Sequence, residues 1–276
     1  MIRKNSGFSK IYLGVMLALM YVPLILIIVY SFNKSRLSSV WTGFTFDWYR
    51  QLFRDDDILT ALINTLVLAI GSGVCAAIIG TLGAVGMAKA KLPAKKTVEY
   101  VATSPIITPE IILGMVDLAF FSLIGLKFGM LTLMIAHTSF CIPYVYMQVR
   151  SRLIGLDPSI VEAAMDLGAS RRRAFLDITL PMIAPAIATG MLLSFAMSVD
   201  DVVISVFVTG VGINTLPLKI YTSLKVGVTP KINALCTLMF LATLIVVLLI
   251  QFTRRKEAGA KFGLSAGKKI KERSEE

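Results

Sequence analysis

Six apolar runs, roughly 11 to 32, 59 to 88, 101 to 124, 129 to 149, 184 to 208 and 232 to 252, dominate the chain. Each is near or above the ~20 residues that a helix needs to cross a bilayer core. That constraint is severe, because a backbone in hydrocarbon has to satisfy its own hydrogen bonds, and a helix does so within one segment. The expected fold class is therefore all-α, a polytopic membrane protein with six transmembrane helices. A mean hydropathy of +0.77 and a charged fraction of 16% agree with this and lie outside the soluble range. The run from Ile11 to Phe32 would be about 33 Å long as a helix, too long for a cleavable leader, and reads as a retained first span.

A net charge of +11 would suggest nucleic acid in a soluble protein, so the position of the cations has to decide. They cluster beside the apolar runs. With the N-terminus in the cytoplasm, Arg3, Lys4, Lys10, Lys89, Lys91, Lys95, Lys96, Arg150, Arg152, Arg171, Arg172, Arg173 and the basic tail from Arg254 fall inside. Only Lys34, Arg36, Arg50, Arg54, Lys127, Lys219, Lys225 and Lys231 fall outside. The positive-inside rule thus accounts for the charge without nucleic acid, and puts both termini in the cytoplasm. Residues 1–256 read as one membrane domain and 257–276 as a basic, disordered cytoplasmic tail. Cys75, Cys141 and Cys236 lie within apolar runs and read as small buried hydrophobes. Trp41, Phe46, Trp48, Tyr49 and Phe53 suit a loop at the outer interface. In the second run, Ala69, Gly73 and Ala77 share one ridge and Ala76, Gly80 and Ala84 the next, which lets neighbouring backbones approach.

Between the fourth and fifth runs the polar stretch "EAAMDLGASRRRAFLDITLP" begins at Glu162. Asp157 followed by Pro158 is a helix start, Gly168 a stop and Ser170 a second N-cap, with Pro181 ending the second helix or starting the next span. Ile160, Ala164 and Leu167 form one stripe and Ala174, Phe175 and Ile178 another. Helices of about ten residues are not stable alone, so this hairpin, within a loop of residues 150–183, must dock on its own bundle or on a partner.

Glu-Ala-Ala, then Gly168, then "ITLP" resembles the EAA loop of ABC importer permeases. "SVDDVVISVFVTG", "LPLKIY", "KVGVTPKINAL" and "FTFDWYRQL" resemble the spermidine/putrescine permeases of that family, so the likeness covers most of the chain outside the tail. It implies a type I importer permease (MetI-like) fold in a bacterial inner membrane, and coupling to a cytoplasmic ATPase through Glu162, Ala163, Ala164, Asp166, Leu167 and Gly168. The implied partners are a PotA-like ATPase dimer, a PotB-like second permease and a PotD-like substrate-binding protein. No G-x-x-x-x-G-K-[ST] occurs, and "SAGKKIK" lacks its first glycine and its hydroxyl residue, so no P-loop is present. No cofactor is expected in this chain; ATP and Mg belong on the partner ATPase, and the chain itself is read as non-catalytic.

Glu110 and Asp117 in the third run and Asp200 and Asp201 in the fifth lie at membrane depth. A central Asp costs about 2.5 to 3.5 kcal/mol to insert, so each needs water, a partner or a task. Taking the runs as continuous helices, Glu110 lies about 14 Å and Asp117 about 24 Å beyond Val101, and Asp200 about 23 Å beyond Pro185. Glu110 and Asp117 share a face, whereas Asp200 and Asp201 point about 100° apart, so at most one of these two faces a central pathway squarely. A polyamine, with ammonium groups spaced by methylenes, would be passed along such carboxylates with aromatic faces between them. Phe195 and Phe207 are assigned to that path with the four acids, and Phe120, Phe121 and Tyr144 are also available. His137 has no acid one turn away on its own helix and reads as a hydrogen-bonded packing residue rather than a proton relay. The alternatives are an ABC permease for another solute and an ion-driven carrier using Glu110 and Asp117, though the inverted repeat a carrier needs is not evident. A Ser, His and Asp set lacks any nucleophile motif.

Overall fold

A computed structural model describes residues 7–36, 40–90 and 93–245 of the 276. Among them the regular structure is helical, apart from one isolated bridge between Asn33 and Phe44. The chain divides into two compact units, one of residues 1–55 with 225–276 and one of residues 56–224.

In the first unit, α1 (Gly7–Tyr30) is apolar on every side, as expected of a lipid-facing span. Behind it the Asn33 side chain organises a tight loop: its amide donates to Val40 O at 2.7 Å, and its carbonyl accepts from Thr42 N at 3.1 Å and Ser35 N at 3.3 Å. The indole of Trp48, on α2 (Asp47–Leu52), donates to Asn33 O at 2.7 Å. Of the aromatics expected at the interface, Phe46 and Tyr49 cluster with Phe32 and Phe44, with Phe32 stacked on Phe44 at 5.0 Å and edge-on to Phe46 at 5.4 Å, while Phe53 is exposed. A last apolar helix runs over Pro230–Ile245. The remainder of the sixth expected span, 246–252, lies outside the described residues.

The second unit is built on three helices. α3 (Asp56–Lys89) packs against α6 (Met130–Ile154) and α9 (Leu180–Asp200), and these two pack against each other. The glycine and alanine ridges of α3 allow this. A Cβ on Gly80 would lie 2.9 Å from Val145 Cβ and 3.1 Å from Ile142 O, so only glycine admits α6 at this distance. Gly73, on the other ridge, faces Met191 of α9. Leu68, Leu133, Val145, Ile183 and Ile204 are fully enclosed in the resulting core.

Two expected spans are interrupted. The run 101–124 is not one helix: α4 (Lys95–Thr103) and a 3₁₀ turn (Ser104–Ile106) meet α5 (Glu110–Leu123) at a bend of 103°. Pro105 and Pro109 supply no amide hydrogens, and Pro109 sits extended (φ −54°, ψ 132°) just before α5. The depths counted from Val101 along a straight helix therefore do not apply. The run 184–208 begins earlier than expected, at Arg171, and ends at Asp200, where Asp201 turns extended before α10 (Val203–Val208). Pro181 does not divide the hairpin from the span: the helix passes from α8 (Arg171–Ala174) through a π-turn (Phe175–Thr179) into α9, and Pro181 takes the first-turn position that needs no amide partner. Four described helices are long and apolar enough to cross a bilayer, five if the bent pair counts as one.

Candidate functional site

The two breaks lie close together. Glu110 opens α5 just after the first and is exposed, and Asp200 closes α9 at the second and is exposed too. Glu110 lies within electrostatic reach of both Asp200 and Asp201, and Tyr144 of α6 within reach of Glu110. Helix ends interrupted at membrane depth are tolerated where they line a cavity or are enclosed by protein. Asp117, two turns along α5, is half-buried and within reach of His137.

Asp201 is placed differently from its neighbour. It is 7% exposed, and its carboxylate accepts from Ile204 N (3.1 Å), Ser205 N (2.9 Å) and Ser205 Oγ (2.9 Å), so it caps α10. His137, fully buried on α6, brings Nε2 to 3.3 Å from Asp201 Oδ2 and 3.1 Å from Ser205 Oγ, while Nδ1 lies 2.8 Å from Ser198 Oγ. An ionised carboxylate only accepts, so towards Asp201 it is Nε2 that donates. Ser72 of α3 donates in turn to Ser198 at 3.2 Å. His137 is hydrogen-bonded as expected, but the acid that its own helix lacks comes from the α9–α10 junction. The cluster also assembles a serine, a histidine and an aspartate, yet His137, Ser205, Ser198 and Asp201 are enclosed, so no substrate bond reaches a nucleophile.

Of the assigned aromatics, Phe207 on α10 packs its ring over Gly114 of α5, where a Cβ would come within 2.5 Å of it. Phe195 is half-buried on the side of α9 whose backbone approaches Gly73. Phe120 is exposed, Phe121 is buried, and Tyr144 meets Phe140 edge-on at 5.7 Å. The structure adds the serines of the network and the pairing of Arg150 with Glu99, joined at 2.7 Å. Hydroxyl residues inside apolar runs are the signal that flags such networks.

The hairpin forms a second candidate site. α7 (Pro158–Asp166) starts where the Asp157 side chain accepts from Ser159 N at 3.0 Å, a bond that holds this exposed carboxyl below its ordinary pKa. It ends at Gly168, whose φ of +90° favours glycine and turns the chain sharply. Ser170 then caps α8 by accepting from Arg173 N. Ala164 is half-buried against the hairpin, while Glu162, Ala163, Asp166 and Gly168 are exposed and Leu167 is 91% exposed. The expected stripe is therefore split, with Ile160 and Leu167 outward and only Ala164 turned in. One short helix presents small, acidic and apolar side chains without a cover among the described residues.

Residues 2–255 match the family described as binding-protein-dependent transport system inner membrane component. The spermidine/putrescine transport system permease protein PotC of Haemophilus influenzae is 39% identical over 245 residues, covering 89% of this chain and 95% of that one. The putrescine transport system permease protein PotI of Escherichia coli K12 is 42% identical over 227 residues, covering 80% and 81%. In three dimensions the chain is similar to a chain of a bacterial ABC transporter involved in import of the acidic polysaccharide alginate (TM-score 0.68, 17% identity, 90% and 98% covered), which bears on the fold alone. With a match along almost its whole length and an all-helical bundle, this chain belongs to the inner membrane permease family of binding-protein-dependent transport systems.

Proposed function

We propose that the chain is the membrane-spanning subunit of an ATP-driven polyamine importer, forming the translocation path and coupling it to a cytoplasmic ATPase. The observation that carries the reading is the identity of 39% and 42% to permeases named for spermidine/putrescine and for putrescine, over most of each chain. The site chemistry is consistent with it. A polyamine presents ammonium groups on a flexible apolar chain, and Glu110 and Asp200 offer two exposed carboxylates at neighbouring helix ends. Asp117, about 10 Å further along α5, offers a third, and Tyr144 and Phe120 offer aromatic faces for the cations between them. Asp201, already saturated, acts as the clasp that holds α10 and keeps the break open beside Asp200. The acids speak against an anionic solute, and an ion-driven carrier has no use for the exposed α7.

The coupling runs through Glu162, Ala163, Ala164, Asp166, Leu167 and Gly168. A small-residue helix fits a groove closely, and the left-handed glycine sets its angle to α8, which continues into α9 and so leads directly to the Asp200 break. An ATPase dimer that grips α7 would therefore move the wall of the path through the Gly168 turn and the unbroken helix from α8 into α9. The further partners are a second permease and a secreted substrate-binding protein; the six spans, the cytoplasmic termini and the bacterial inner membrane complete the reading.

Uptake of radiolabelled spermidine and putrescine into cells expressing the transporter tests it. Uptake is expected, with competition by unlabelled polyamine, and a fall of tenfold or more in Asp117→Asn and Asp200→Asn at normal abundance. No uptake by the native transporter would refute the substrate, and normal uptake in both variants would refute the path.

A further inference from the structure

At the end of the bundle remote from the α9–α10 break, a cleft of ≈ 550 Å³ opens between the C-terminal turns of α3, the amphipathic α4 and the last turns of α6. Three cations line it. Lys95 and Lys96 stand on the first turn of α4 and take part in no ion pair among the described residues, and Arg150 projects from α6. Arg150 donates to Glu99 at 2.7 Å, which fixes the guanidinium in place and spends one of its donors while leaving the others available. One carboxylate against three cations leaves the cleft with a net charge of +2. Tyr146, 3% exposed, lines the same cleft, with its buried hydroxyl beside Glu99. The rest of the lining includes the apolar Met87, Ala88, Leu153 and Ile154, and it continues the lipid-length stretch of α3 that ends at Ala88.

Cations and hydrocarbon lining one cleft suit an anionic headgroup attached to an acyl chain. We propose that this cleft binds the phosphodiester of an anionic phospholipid, with Lys95, Lys96 and Arg150 around the phosphate. Basic residues beside a membrane-crossing helix attract anionic lipid with about a fivefold gain in affinity each, and a cleft between helices adds geometric selection to that attraction. Bound there, the lipid would join α4 to α3 and α6 and so brace the segment that leads into the 103° bend before Glu110.

Native mass spectrometry of the purified full-length chain tests this, comparing retention of phosphatidylglycerol with phosphatidylcholine of the same acyl chains. Phosphatidylglycerol is expected to be retained preferentially. Lys95→Gln with Lys96→Gln is expected to lower its affinity roughly twenty-five-fold, and Lys95→Arg with Lys96→Arg to restore it. Equal retention of both lipids, or unchanged retention in the double Gln variant, would overturn the proposal. So would displacement by millimolar inorganic phosphate, which would show a site for free anions instead. Because the measurement uses no transport, its failure is separate from failure of the polyamine reading.

Discussion

Asp200 and Asp201 are neighbours in sequence with opposite surroundings, because the helix ends between them. Asp200 keeps its carboxylate exposed at the last position of α9, and Asp201, extended, buries its own under the first turn of α10. Replacing a buried, fully bonded carboxylate by an amide turns at least one accepted bond into a donor–donor clash. Asp201→Asn is therefore expected to destabilise the protein by about 2 to 4 kcal/mol, seen as a lower thermal midpoint in detergent. Asp200→Asn is expected to leave that midpoint within the ~0.5 kcal/mol typical of exposed substitutions, and to act on uptake alone. Equal midpoints for the two variants would remove the distinction. The acids themselves could be read directly as residues too costly to insert without a task. That one of them is consumed by His137 and Ser205 could not, because His137 lies 64 positions before Asp201 and meets it only across the α6–α10 contact.

At the scale of elements, the hairpin and the α3 ridge follow from local rules and the helix breaks follow only in part. Asp157, Gly168 and Ser170 act as the short-range chemistry of caps and turns dictates, so both helix starts and the intervening turn were visible in the sequence. Gly168→Leu forces a left-handed backbone on a residue with a Cβ, at about 1 to 2 kcal/mol. The chain should insert at normal abundance while transport per molecule falls at least tenfold; normal transport would show that the turn carries no coupling. Gly80→Ala places a methyl against Val145 and against the backbone carbonyl of Ile142, neither of which can rotate away. It is expected to cost about 1 to 3 kcal/mol and to lower the yield of folded protein measured by gel filtration. The continuity of α8 into α9 was not legible, since Pro181 reads equally as a stop or a start. The π-turn that carries the helix to it is a tertiary accommodation, seated where Ala174 and Thr179 are buried.

For the whole molecule, membership of a binding-protein-dependent permease family and the apolar helices make this a multi-pass membrane protein. The distribution of cations predicts its orientation, which single cysteines can report. In a background lacking Cys75, Cys141 and Cys236, Leu167→Cys, at a position 91% exposed, should react with an impermeant maleimide in inside-out vesicles and not in intact cells. Lys34→Cys should do the reverse. Labelling of Leu167→Cys from outside would invert the topology and remove α7 from reach of any cytoplasmic ATPase.

The sequence by itself determined the solvent, the element type and the caps, because each depends on local quantities: transfer energy summed over ~20 residues, backbone propensity, and side-chain reach over three or four positions. Tertiary structure decided how sharply the proline-marked run 101–124 bends, where the run 184–208 breaks, which acid is exposed and which enclosed, and which cations line the cleft by α4. Those outcomes depend on which side chain from a distant helix arrives to satisfy a buried polar group, and a buried charge or amide accepts whichever partner the packing of α3, α6 and α9 delivers.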